Sequence, residues 1–152
     1  MIKVSVFARF KTCMGDVNLI DVLSDIRNGK YAASVNRIRV YMDKDNSEAA
    51  GNLKKALPAI TISATYRGQR LEQYMTAYNP LIILDFDELK KEELPHLLAL
   101  VREAAYTVAC WISPRGHGIK VIVYPAVGLE LMAQNHPRSE ERRVGKECRS
   151  RW

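Results

Sequence analysis

Apolar and polar positions along the chain follow strand spacing in some stretches and helical spacing in others. Apolar residues alternate or cluster in five stretches, each of which predicts a strand: residues 2–10, 59–63, 81–85, 108–112 and 119–124. Helical spacing of apolar residues predicts four helices, over residues 19–26, 31–41, 47–57 and 92–105, and residues 127–133 are expected to begin another. No repeat or low-complexity linker divides the pattern, so it predicts one α/β (α+β) domain.

From residue 81 onward the predicted order of elements is β-α-β-β. A helical crossover between two strands favours a parallel arrangement, whereas a short hairpin makes the next strand antiparallel. The strand of residues 81–85 should therefore run parallel to that of residues 108–112, with residues 119–124 antiparallel to both, in a mixed sheet.

Two aspartates end the most strongly apolar of these strands. Asp85 and Asp87 are two positions apart, so in an extended chain they project from the same face. Phe86 lies between them and is expected to pack into the core from the opposite face. Paired carboxylates suit Mg²⁺ or Mn²⁺, which prefer oxygen ligands. The alternative is a polar strand end in which Asp87 caps the next helix.

A glycine-containing loop precedes the last predicted strand. Gly116 and Gly118 allow backbone N–H groups to approach an anion closely, and the side chains of Ser113 and Arg115 can donate hydrogen bonds to it. The pattern therefore predicts a phosphate-binding loop. The alternative is an ordinary glycine hairpin.

Lys120 lies two positions before Ile122 and should share its face of the sheet. An unpaired ammonium on a buried sheet is costly, so an anion is expected beside it unless the side chain reaches solvent. His117 is interpreted as a solvated loop residue. Because the helix between the two motifs is short, the loop should lie beside the aspartate pair, an arrangement that suits nucleoside triphosphate chemistry.

A second group of basic residues flanks the strand of residues 59–63. Basic side chains near an aromatic such as Tyr66 can hold phosphate while a base stacks, which makes four residues possible nucleic-acid contacts: Lys54, Lys55, Arg67 and Arg70. A solvated surface is the alternative. Arg37 and Arg39 are interpreted as lying on the solvated side of their helix.

The last fifteen residues need separate treatment. Residues 138–152 match the translation of a common short-read sequencing adapter, so we predict a domain of residues 1–137, cut short, followed by an artefactual tail. The alternative is a genuine basic tail that binds nucleic acid. Without the six basic and three acidic residues of this tail, the totals of 23 and 17 give +3 instead of +6, too small a charge to argue for a polyanionic partner alone.

The remaining cysteines and the hydropathy bear on location. Cys13 and Cys110 have no metal-type spacing and are expected to be reduced thiols of a cytoplasmic protein. No uncharged run reaches the ~20 residues that a membrane-spanning helix needs. We therefore expect no membrane association.

In order and spacing, several segments resemble the VirE N-terminal-like branch of the archaeo-eukaryotic primase superfamily, whose primase-polymerase domains occur on bacterial mobile elements. The resemblance covers residues 2–124 and rests on five segments: residues 4–7, 26–31, 54–63, 83–87 and 113–120. It implies an RRM-like primase palm. It also implies a metal-dependent, template-directed nucleotidyltransferase, a DNA primase or primase-polymerase that acts in replication.

The resemblance also assigns roles to individual residues. Asp85 and Asp87 would be the catalytic, metal-binding carboxylates, and the phosphates of the incoming nucleotide would be held by Ser113, Arg115, Gly116, Gly118 and Lys120. The implied partners are nucleoside triphosphates, a single-stranded DNA template and a helicase or VirE-type module in the intact protein.

The sequence departs from that family in two places. Many members carry His where Lys120 stands, and lysine can bind phosphate but is a poor acid or base near neutral pH. A third carboxylate has no candidate before Pro137, because Glu130 is in the wrong context. The intact protein is thus expected to be an enzyme, whereas this chain is expected to be inactive.

Two other functions remain open. One is a non-catalytic nucleotide- or DNA-binding module that regulates an attached helicase. The other is a receiver-like signalling domain, which the hairpin at residues 116–118 disfavours because such domains alternate strands and helices throughout.

Overall fold

The computed structural model describes residues 1–9 and 12–125. The strands in this part of the chain are β1 (Lys3–Ala8), β2 (Thr12–Asn18), β3 (Ala59–Thr61), β4 (Ala64–Tyr66), β5 (Met75–Tyr78), β6 (Ile82–Phe86), β7 (Thr107–Ile112) and β8 (Ile119–Val123). The helices are α1 (Leu19–Arg27), α2 (Ala32–Asp43), α3 (Ser47–Ala56) and α4 (Leu94–Glu103), and a 3-10 helix spans Glu72–Tyr74. The mixture of helices and separate sheets makes this an α+β protein.

The strands form three sheets, with the orders β2-β1-β3, β4-β5 and β6-β8-β7. Every strand pairing within the described residues is antiparallel, so the expectation of a mixed sheet is wrong. The predicted directions of the last three strands are nevertheless confirmed. Both β6 and β7 are antiparallel to β8 and hence run the same way, but β8 lies between them and removes the parallel pair.

The sheet β6-β8-β7 separates two apolar clusters because residues along β8 alternate between its faces. Ile119, Val121 and Val123 pack with Leu94 at the start of α4. Ile122 faces the other way, into the larger cluster formed with α1, α2, α3, β1 and β3. The face that carries Ile122 also carries Lys120, which therefore points toward the main core.

Helices α2 and α3 pack against each other and present apolar stripes to this larger cluster. Ile38 of α2 and Ala50 of α3 are fully buried at its centre. Asn46 caps α3, because its side chain accepts a hydrogen bond from the Ala49 N–H at 3.1 Å. Asn18 occupies the N-cap of α1 but makes no side-chain cap hydrogen bond.

Several features differ from the sequence-based expectation. The strand β2 and the hairpin β4-β5 were not predicted; β2 is mostly exposed, and β4 and β5 have only three and four residues. Such short or one-sided strands give almost no periodic pattern. Phe86 does not enter the core and is 43% exposed, because α4 packs on β7 and β8 and leaves the end of β6 uncovered.

Two expectations concern residues outside the described ranges: a helix over residues 127–133 and the artefactual origin of residues 138–152. Both stay predictions.

Within the described ranges, no helix has the length and apolar character to cross a bilayer.

Candidate functional site

The pairing of β6 with β8 brings the two predicted motifs together. Asp85 lies directly opposite Lys120 in the antiparallel register, and Phe86 lies opposite Ile119. The aspartates at the end of β6 therefore meet the loop of residues 113–118 where it enters β8. The sequence predicted this proximity, and the structure places both motifs on the same side of the sheet.

The anion expected beside Lys120 is the carboxylate of Asp85. The Lys120 Nζ donates a hydrogen bond to Asp85 Oδ2 in a salt bridge. The lysine side chain is only 2% exposed and that of the aspartate 24%. The ion pair offsets the desolvation of the ammonium, and it directs Lys120 toward a carboxylate rather than toward solvent.

Asp87 approaches the loop closely at Gly118. A Cβ atom placed on Gly118 would lie 2.5 Å from the Phe86 carbonyl oxygen, 3.1 Å from Asp87 Oδ1 and 3.3 Å from Ser113 Oγ. Only glycine fits such a gap. The absent side chain lets the buried Ser113 and the exposed Asp87 sit side by side.

The loop itself is closed by its own backbone hydrogen bonds. The Ser113 N–H donates to the Gly118 carbonyl at 2.8 Å, and the Gly116 N–H donates to the Ser113 carbonyl at 2.9 Å. These two N–H groups are therefore already used, and the contact of the loop with an anion stays a prediction. Side chains bring positive charge close to the loop.

Lys54 of α3 supplies one of these charges. Burial is the main reason that the pKa of the Lys54 ammonium lies below its usual value, and the positive charges of Lys120 and Arg115 lower it further. The carboxylates of Asp87 and Asp85 partly oppose this shift. The charge of Lys54 thus interacts with residues of both predicted motifs.

Arg115 and Arg39 reach the same region from two directions. Arg115 is exposed and lies against α3, where a Cβ on Gly51 would be 3.8 Å from its Nη2 atom. Arg39 of α2 donates from Nη2 to the Ser113 carbonyl at 3.4 Å and packs its side chain against Gly116. The Arg39 Nε–H is buried and has no hydrogen-bond partner among the described residues.

Arg39 was wrongly interpreted as lying on the solvated side of its helix. It is half-buried, and it follows Val35 by four positions, within the apolar stripe that continues to Ile38 and Met42. Lys54 follows the buried Ala50 by the same interval. A cation at the i+4 position of an apolar stripe was therefore the sequence pattern that could have identified both residues.

The other predicted nucleic-acid contacts lie elsewhere. Arg67 and Arg70 belong to the connection between β4 and β5, which lies beside β2 because the Cys13 N–H donates to the Gly68 carbonyl at 3.2 Å. Lys55 is exposed on α3. Tyr66 packs edge-to-face on Phe7, with ring centroids 6.2 Å apart. Among the four basic residues, Lys54 has a charge that interacts with Asp85 and Asp87.

The predicted metal site has two carboxylates. The described residues hold no group of three or more His, Cys, Asp or Glu side chains placed to bind a metal ion. One or two carboxylates with substrate phosphates is nonetheless a usual ligand set for Mg²⁺. Asp85 and Asp87 fit such an ion only together with a phosphate ligand, and the Asp85 carboxylate would then be shared with Lys120.

The depressed pKa of Lys54 can be measured directly. After reductive ¹³C-methylation, an NMR pH titration should give Lys54 a pKa below the usual value of a lysine ammonium. In Arg115→Gln the Lys54 pKa should rise, since a repelling charge is removed. A Lys54 pKa at or above the usual value would contradict the described environment.

The close approach at Gly118 predicts a steric effect. Gly118→Ala should lower the free energy of unfolding by roughly 1–3 kcal/mol, because its Cβ would collide with the Phe86 backbone. Gly51→Ala is the control: it lies inside α3 with room for a methyl group and should stabilise by up to about 1 kcal/mol. Urea denaturation measures both, and a neutral Gly118→Ala would argue against the described contact.

The same part of the chain is covered by a match to a known family. The family described as "BT4734-like, N-terminal domain" matches residues 52–140, more than half of the chain. The match includes Lys54, both aspartates and the whole loop of residues 113–118. Comparisons with curated proteins and with solved structures gave no match. The chain therefore belongs to the BT4734-like N-terminal domain family.

Proposed function

We propose that this domain is a metal-dependent, template-directed nucleotidyltransferase of the primase-polymerase type, in the VirE N-terminal-like branch of the archaeo-eukaryotic primase superfamily. In this proposal the sheet β6-β8-β7 with α4 is the RRM-like palm. The observation that carries the proposal is the β6–β8 pairing, which sets two carboxylates beside a loop surrounded by cations.

The balance of charge favours a polyanionic ligand. Four cations reach the site, from Arg39, Lys54, Arg115 and Lys120, against the two carboxylates. Burial is the main cause of the lowered pKa of Lys54, and repulsion from Lys120 and Arg115 adds to it. A triphosphate would relieve that repulsion and would offer acceptor oxygens to the arginine and lysine side chains.

The chain's own residues can be given separate roles. Lys54 and Arg115 would contact the phosphates, because Lys54 is partly accessible and Arg115 is exposed. Lys120 would instead hold the Asp85 carboxylate in position, since its ammonium already donates a hydrogen bond to that carboxylate. A divalent ion held by Asp85, Asp87 and the phosphates would supply charge neutralisation and activation of an attacking hydroxyl.

One observation favours a different function, a non-catalytic nucleotide- or DNA-binding module that regulates an attached helicase. The Lys120 ammonium already gives Asp85 a positively charged partner, the role that a bound metal ion would otherwise have. If this ion pair persists when nucleotide binds, Asp85 has less capacity for a metal. The two proposals share the nucleotide site and differ in whether chemistry occurs there.

Nucleotide binding tests what the two proposals share. Lys54→Gln should weaken binding of Mg²⁺–ATP by about tenfold, the loss of one charge-assisted hydrogen bond, whereas Lys55→Gln should bind as the wild type does. Isothermal titration calorimetry measures both. Equal affinity for both glutamine variants would contradict the site.

The affinity for Mg²⁺–ATP should also fall as pH rises through the lowered pKa of Lys54, because deprotonation removes the charge of this side chain. Lys54→Arg should retain binding to higher pH.

Primer extension on a single-stranded template distinguishes the two proposals. Asp87→Asn is the preferred variant, because Asp85→Asn would also leave Lys120 buried without its counter-charge. We expect Asp87→Asn to abolish Mg²⁺- or Mn²⁺-dependent extension while ATP binding persists. Extension is measured with the full-length gene product. Primer extension by Asp87→Asn at the wild-type rate would contradict a catalytic role for Asp87. If no form of the protein extends the primer while ATP binding is intact, the non-catalytic binding module is favoured.

A further inference from the structure

Three adjoining cavities form a groove along the β7 side of the sheet. The first, of about 390 Å³, shares Ile26 and Trp111 with the second, of about 220 Å³. The second shares Arg39 and Ile112 with the third, of about 400 Å³. The cavities are thus continuous in their lining and follow β7, a strand of six residues that spans roughly 20 Å.

Arginines occur along the whole length of this groove. Arg27 and Arg102 line the first cavity, Arg39 lies between the second and third, and Arg115 lines the third. The acidic side chain that lines the third cavity, Asp43, is paired with Lys91 at 2.7 Å, and this contact lowers the Asp43 pKa. The lining therefore carries a clear excess of positive charge.

Aromatic and apolar surface lies between these arginines. Trp111 lines the first two cavities, and Tyr31 lines the second together with Pro114. Both aromatic side chains are half-buried, packed on one side against the main core and partly accessible on the other. Positive charge at intervals with aromatic rings between is the arrangement by which proteins hold single-stranded nucleic acid without sequence preference.

The groove ends at the candidate site. Gly116 and Arg115 line its third cavity, and the charge of Arg115 interacts with Lys54, which also senses Asp85 and Asp87. A chain lying in the groove would thus reach the loop of residues 113–118 and the carboxylates beyond it. The connection between β4 and β5, with Arg67 and Arg70, contributes no side chain to the three cavities.

We propose that this groove, from Arg27 and Arg102 past Trp111 and Arg39 to Arg115, binds single-stranded nucleic acid and leads it to the candidate site. The phosphates contact the arginines, and a base stacks at Trp111. The groove suits a single strand of about four nucleotides, near the lower end of the range for such sites. The idea that this strand is a template rests on the proposed function; the binding itself does not.

The test uses the full chain without nucleotide or metal, so its outcome is independent of catalysis. Binding of a fluorescein-labelled dT12 strand is followed by anisotropy at several salt concentrations. Arg27→Gln/Arg102→Gln changes two exposed residues at the far end of the groove, outside the candidate site. We expect Kd to rise on the order of tenfold and the salt slope to fall by about 1.4, because two phosphates of the strand would no longer be neutralised by arginine.

Lys3→Gln/Arg9→Gln is the matched control, since it removes the same charge from two exposed residues outside the groove. It should bind dT12 within about twofold of the wild type, as expected for charges that make no phosphate contact. Equal weakening by both double variants would show only general electrostatic attraction and would overturn the proposal. So would wild-type affinity in Arg27→Gln/Arg102→Gln, no binding of dT12 by the wild type, or equally tight binding of a 12-base-pair duplex.

A second measurement reports on the centre of the groove. The sequence contains two tryptophans, Trp111 and Trp152, so Trp152→Phe leaves Trp111 as the sole tryptophan emitter. Binding of unlabelled dT12 should quench its fluorescence, because a base stacks on the ring. Unchanged emission at saturating dT12 would overturn the path past Trp111.

The affinity of Arg27→Gln/Arg102→Gln for Mg²⁺–ATP separates the groove from the proposed function. Retained affinity would show that the nucleotide site is intact, so failure of the groove and failure of the proposed function give different results.

Discussion

The pairing of Asp85 with Lys120 across two antiparallel strands is the constraint on which the candidate site depends. The register places an ammonium that is 2% exposed against a carboxylate, and each would be costly to bury alone. A shift of one residue would turn both side chains to opposite faces of the sheet and separate them. The ion pair and the register therefore support each other, and together they fix the end of β6 against the loop that precedes β8.

The elements around this pair hold the site by packing rather than by further ion pairs. Ile122, two residues after Lys120, lies in the main core with Ile38 of α2 and Ala50 of α3. The same two helices carry Arg39, which contacts the loop of residues 113–118, and Lys54, whose charge interacts with both aspartates. Gly118 lacks the Cβ atom that would otherwise collide with the Phe86 carbonyl oxygen and crowd Asp87. The site is thus assembled at the junction of a sheet and two helices that each contribute to one apolar cluster.

An excess of buried or half-buried positive charge is expensive unless a ligand offsets it. Sites that bind phosphates commonly have this property, and it links the candidate site to the groove along β7, where the positive side chains continue beyond it. Lys120 is the exception among these cations, since it is already neutralised by Asp85. Its role differs from that of Lys54 and Arg115, which retain unneutralised charge at the protein surface.

The sequence by itself determined the local features. The two-residue spacing predicted that Asp85 and Asp87 share one side of the strand end, and helical periodicity predicted α1 to α4. The β-α-β-β order determined the directions of the last three strands. Only the tertiary structure decided that β8 lies between β6 and β7, that Lys120 pairs with Asp85, and that Arg39 and Lys54 join the site. These features depend on register and on contacts between residues far apart in the chain, which a periodic pattern does not encode.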